Sequence, residues 1–145
     1  MGHVVADITI AAIRQRIATA LEAVSEWDES GWAAGEPATQ NPEHKRFAVG
    51  VLRTVPIQTR QRSAVTSYQV TSDIEIQWAF QLGAHKQVET YDDALAAEAL
   101  LLAAALGVDR TDLHLTLTEQ TRRVITEGTV AGAIRITVRH SLATS

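Results

Sequence analysis

The chain has 145 residues and a mass of 15.7 kDa, enough for one domain built on a single core and too few for two ordinary ones. Apolar residues make up 46% of it, but Ala supplies 23 of them and aromatics only 5% of the chain, which excludes wholesale disorder and predicts a core of aliphatic and small side chains. A net charge of −4 argues against a protein whose main task is gripping phosphates, and the absence of cysteine excludes disulfides, thiolate metal sites and thiol nucleophiles.

The first predicted element is an amphipathic helix from Ile8 to Val24. Ile10, Ile13, Ile17, Leu21 and Val24 recur at steps of three and four, and Asp7 is placed to cap the first turn. The segment from Trp27 to Glu43 has neither period and carries two Gly and two Pro, so it reads as a long loop and a candidate contact segment. Trp27 and Trp32 flank its acidic start. Each either folds back on the first helix or serves as an interfacial anchor, a role Trp favours.

A strand follows from Phe47 to about Thr54, ended by Pro56 and the polar run Gln58 to Ser63. The clearest alternation in the chain comes next, with Tyr68, Val70, Ser72, Ile74, Ile76, Trp78, Phe80 and Leu82 on one face of a second strand. A second helix is expected to begin at Thr90, where Asp93 makes a variant capping box, and to end at Leu106 before a left-handed Gly107. The longest apolar run, Ala94 to Leu106, lies in this helix, is interrupted by Glu98 and falls short of the roughly 18 residues of a membrane span. With no leader-like charged and apolar stretch at the start, a soluble, intracellular chain is expected.

Leu113, Leu115 and Leu117 open a closing hairpin whose return strand carries Val130, Ile134, Ile136, Val138 and Leu142, with Glu127-Gly128 as a two-residue turn. Continued without interruption, that turn sets Leu113 opposite Leu142, Leu117 opposite Val138, Thr121 opposite Ile134 and Ile125 opposite Val130. The expected fold is therefore α+β: a single domain over residues 1–145 made of two helix-plus-β-hairpin units. Its antiparallel sheet has about four strands, with the helices packed on one face. A body of this size is roughly 38 Å across, whereas 15 extended residues span about 50 Å, so the hairpins are expected to project.

Charge is unevenly distributed. Glu22 to Glu43 holds six acids and no base, among them Glu29 and Glu36; His44 to Ser72 holds five bases and no acid, among them Arg53, Arg60 and Arg62. Either these are solvated faces or they form a self-complementary surface, the acidic segment of one copy meeting the basic segment of the next. Arg122-Arg123 near the second hairpin tip reads as a solvated tip or a protein contact rather than a nucleic-acid site.

Catalytic constellations come up short. The five histidines are scattered without a metal-binding pair, and in the expected register His114 and His140 point to opposite faces. Asp92-Asp93 fits the first turn of a helix, where carboxylates suit the dipole, and the glycines form no phosphate-cradling pattern. No metal, cofactor or enzymatic activity is expected.

In layout, the opening helix Ile8 to Val24, the strand Ser67-Tyr-Gln-Val-Thr-Ser-Asp-Ile-Glu-Ile-Gln-Trp-Ala-Phe, the helix beginning Tyr91-Asp-Asp-Ala and the closing hairpin resemble the tail terminator, or tail-completion, proteins of long-tailed bacteriophages and phage-like particles. The likeness covers nearly the whole chain and lies in texture rather than in a motif; the acidic loop Asp28 to Glu43 has no fixed counterpart in it. It implies a homo-oligomeric ring, usually a hexamer, that caps the tail tube and joins it to the head-side connector or stopper protein in the virion tail, assembled in the host cytoplasm. The partners so implied are the tail tube protein and the connector, with genomic DNA passing the lumen without specific binding and no membrane contact. Arg53, Arg60, Arg62, Arg122, Arg123, Glu29, Glu36 and Trp32 are the candidates for self-assembly or tube contact. Alternatives are another head-tail joining or tube component, and a small hot-dog-like enzyme, against which the two helices count.

Overall fold

A computed structural model describes residues 9–29, 44–57, 67–83, 87–109, 113–126 and 128–143. In chain order the elements are α1 (Ile10–Glu22), β1 (Asp28–Glu29), β2 (Arg46–Pro56), β3 (Ser67–Gln81), α2 (Gln87–Leu106), β4 (Leu113–Thr126) and β5 (Thr129–Ala143). The α+β class and the sequence of helices and hairpins are as expected. The sheet, however, has five strands in the order β1-β2-β3-β5-β4, and it is mixed rather than antiparallel because β1 runs parallel to β2. That strand comes from two residues of a segment with no period of its own, which is why the hydrophobic pattern did not announce it.

The two hairpins join through β3 and β5, which pair without a shift from Ser67–Ala143 to Gln81–Thr129. The hydrophobic alternation is strongest in β3, and both strands become central. Ile74, Ile76, Trp78 and Phe80 of β3 share one face with Val130, Ile134, Ile136 and Val138 of β5. Phe47 and Val49 of β2 and Leu113 of β4 extend that face, and Ile13, Ile17 and Leu21 of α1 and Ala94, Leu101 and Ala105 of α2 pack onto it in one cluster. The helices thus lie on the same side of the sheet.

Several local details differ from the pattern. Helix α1 is capped by Thr9, whose Oγ1 accepts from the Ala12 amide at 3.1 Å; Asp7, the expected cap, lies outside the described residues. Helix α2 begins at Gln87 rather than at Thr90, so Thr90 sits within the first turn and its Oγ1 accepts from the Gly83 amide at 3.0 Å. Asp92 and Asp93 consequently fall past the first turn, which holds Glu89 instead. Gly107 ends α2 without a left-handed backbone: its amide bonds the Ala103 carbonyl at 2.9 Å, continuing the helical ladder.

The closing hairpin keeps its two-residue turn, Thr126 opposite Thr129 with Gly128 at φ 94°, a conformation glycine adopts without penalty. The uninterrupted register fails, because β4 carries two bulges. One, at Ile125, moves the pairing to Val124–Val130; the other, at Thr118, moves it to Leu117–Ile136, Leu115–Val138 and Leu113–His140. Each bulge inserts one residue and so exchanges which residues face the core. Between them, even-numbered residues of β4 face the helices.

At the centre of the sheet, β5 interrupts its alternation with Gly132 opposite Trp78. A Cβ on Gly132 would stand 2.5 Å from the indole ring, so the space a side chain would take belongs to the largest fully buried residue. Gly132→Ala is expected to cost about 1–3 kcal/mol through overpacking, read as a fall in thermal midpoint.

Candidate functional site

The bulge at Ile125 has a direct consequence for Arg122. In the uninterrupted register Thr121 would face the core; in the bulged strand Arg122 does, opposite Gly132, and its Nε donates to Glu98 Oε1 at 2.6 Å. Glu98 is 2% exposed, and its other oxygen accepts from Trp78 Nε1 at 3.2 Å. Residues 94–108 of α2 and its C-terminal turn contain no other charged side chain. The one acid in that apolar stretch faces inward, where two donors receive it. Glu98 was legible only as an interruption, although its spacing from Ala94 and Leu101 places it on the buried stripe.

A second polar row crosses the same face further along the sheet. The His140 Nδ1 lies 3.1 Å from the Ser141 carbonyl, which can only accept, so Nδ1 carries the proton and Nε2 is left to accept from the Ser72 hydroxyl at 2.8 Å. Ser72 Oγ is also 2.9 Å from Thr54 Oγ1, which then donates to it. Burial pushes the His140 pKa down, opposed by the bond to the Ser141 carbonyl. A serine hydroxyl on an oriented imidazole is the geometry of a nucleophile and its base. Ser72 is 0% and His140 2% exposed, so no substrate atom reaches either, and the row acts as a core tie. His114 faces the other way, exposed and paired with Arg139 rather than beside Ser141.

The opposite sheet face is a ladder of charges. Arg53 Nε donates to Asp73 Oδ2 at 2.8 Å, Thr137 donates to Asp73 Oδ1 at 3.2 Å, and Arg135 Nε donates to Glu75 Oε2 at 3.0 Å. Near the start of β2, Lys45 Nζ lies 3.0 Å from Glu26 Oε2, and this bond holds the Glu26 carboxyl below its usual range. Both residues have left-handed backbones, φ 55° and 68°. His44 Nδ1 accepts from the Gln81 amide at 3.0 Å, and its pKa is lowered by burial and by Lys45.

The residues singled out for assembly are dispersed across this frame. Arg53 is held by Asp73 within the chain, Glu29 by Arg14 Nη1 at 2.5 Å, and Arg122 by Glu98. Arg123 is exposed on the charged face, opposite Ala131. Arg60, Arg62, Glu36 and Trp32 lie outside the described residues. Trp27 folds back, 2% exposed, into the core cluster that contains the first helix. Among the described residues there is no group of three His, Cys, Asp or Glu able to hold a metal, and no helix long and apolar enough to cross a membrane. Compared with protein-family models and with curated proteins, the chain matches none.

Proposed function

We propose that the chain is a structural ring-former, a tail-terminator-like protein that caps a phage tail tube and joins it to the head-side connector or stopper. The observation that carries this reading is the open sheet: four strands of 11 to 15 residues on a small domain, unclosed, with both lateral edges free of a full-length neighbour among the described residues. An open edge is a template for pairing with another chain, and an assembling subunit has a use for it that an isolated enzyme does not. The ties inside the core support the same reading. The buried groups Glu98, Ser72 and His140 are engaged within the chain, Glu98 with Arg122 and Trp78, and Ser72 with His140.

In this role the ring holds about six copies, the tube protein and the connector bind its two ends, and genomic DNA passes the lumen without sequence-specific contact. Native mass spectrometry and electron microscopy of the purified protein over a concentration series test it. Closed rings of uniform copy number are expected. A monomer or a discrete dimer at every concentration up to the limit of solubility overturns it.

A further inference from the structure

The two lateral edges of the sheet differ, and they match. On one side the outer edge of β2 is covered only at Arg46 and Phe47, by Asp28 and Glu29 of β1, leaving Ala48 to Pro56 without a neighbouring strand among the described residues. On the other side β4 has no outer neighbour among the described residues anywhere along its length, Leu113 to Thr126. Strand direction alternates from β2 through β3 and β5 to β4, so β2 and β4 run opposite ways. A second copy placed edge to edge by rotation about an axis along the strands therefore sets its β2 antiparallel to this copy's β4, the more stable of the two pairings.

Level along the sheet can be read off the ladder. Arg46 stands in one row with Ala79, Ala131 and Arg123, and Phe47 in the next with Trp78, Gly132 and Arg122. The acidic pair Asp28-Glu29 thus sits on one edge at the same level as the basic pair Arg122-Arg123 on the other. Glu29 and Arg122 have partners within the chain; Asp28 and Arg123 are exposed, and neither side chain has one among the described residues. The open stretch of β2 occupies the rows that lead from Thr121 back toward Leu113. Exposed apolar residues lie on the same edge strands: of the six large hydrophobics exposed among the described residues, Leu52 and Val55 are on β2, and Leu117 and Val124 are on β4.

From this, and resting on the ring-forming reading above, we infer that copies of the chain join head to tail along their sheet edges. The stretch Leu113–Thr121 of one copy lies along the open part of β2 in the next, and β4 steps outward past the neighbour's β1 at its Arg122–Arg123 end, where Arg123 meets the neighbour's Asp28. The contact is between unlike patches of identical chains, so it propagates until it closes. The basic partner of the acidic segment is then on β4, and not in the stretch Lys45 to Arg62 that follows it in sequence.

Charge reversal with rescue tests the pairing. Asp28→Arg and Arg123→Asp, each at an exposed position, are expected to raise the concentration at half-assembly about fivefold or more, and the double variant to return it close to that of the unmodified chain. Hydrogen exchange on assembled protein is expected to show added protection at the amides of Ala48–Val55 and Leu113–Thr121. Rings that form with neither single variant impaired, or a double variant no better than the singles, or rings without added protection at these amides, overturn the edge pairing while the ring-forming reading stands. Absence of any assembly by the unmodified chain overturns both.

Discussion

Two polar ties cross the apolar face of the sheet, and they solve the same problem differently. At one, Glu98 meets Arg122 and Trp78; the Arg122 side chain is 35% exposed, so that side of the ion pair keeps contact with water while the carboxylate is enclosed. At the other, Thr54, Ser72 and His140 form a chain of neutral donors and acceptors that ends on a backbone carbonyl. The charged tie fastens a helix to two strands, whereas the neutral tie fastens strands to one another. A charge is tolerable in this core only where its partner can be hydrated, and where no water reaches, neutrality has to be kept.

The largest expected effect breaks the charged tie. Glu98→Ala leaves the Arg122 guanidinium and the Trp78 indole N–H without their acceptor and is expected to cost about 3–5 kcal/mol, a large part of the stability of an ordinary domain. Denaturant unfolding measures it; a loss below about 1 kcal/mol means that Arg122 swings out to water at no cost. The neutral tie should break more gently. Ser72→Ala removes the donor to His140 and the acceptor for Thr54 and is expected to cost about 1–3 kcal/mol by the same measurement.

Acidity separates the two ties further. The His140 pKa is lowered in the folded chain, so the unfolded chain binds the proton more readily, and the stability tied to the neutral ring is complete above the ordinary value near 6.5 and is lost as pH falls below it. His44 shifts the same way, and its Nδ1 can accept from the Gln81 amide only while unprotonated. Thermal midpoints should therefore fall between pH 7.5 and 5.5, and His140→Asn should flatten that slope in part. An unchanged slope in the variant removes His140 from the account. The smallest expected effect lies on the far face of the sheet. Arg53 is 73% exposed in its side chain and pairs with Asp73 in water's reach, so Arg53→Ala should change stability by no more than about 0.5 kcal/mol.

Much of the fold was legible because its signals are local. The stripe Ile13, Ile17, Leu21 wrote α1, the alternation from Val70 to Phe80 wrote β3, and the Gly128 turn wrote the closing hairpin. What stayed hidden depends on contacts between distant residues. No period in either strand says that β3 pairs with β5. The gap at Gly132 becomes intelligible only once Trp78 lies across it. The bulges at Thr118 and Ile125 leave no mark in a hydrophobic pattern, since Thr116 to Arg123 is polar on both faces apart from Leu117. Nor does charge along the sequence say which side chains are already paired: Arg53, Glu29 and Arg122 are engaged within the chain.

The bulge at Thr118 gives β4 a residue of slack. Edge strands are commonly where a fold absorbs insertions and deletions, because little is packed on their outer side. Here one residue lost between Leu117 and Glu119 would remove the bulge and nothing else: Leu117 stays opposite Ile136, Glu119 opposite Arg135 and Arg122 opposite Gly132, so every side chain keeps its face. Relatives of this sequence are therefore expected to tolerate the loss of either bulged residue from the fourteen of β4, while a residue gained, with no slack on β5 to meet it, would need a further bulge.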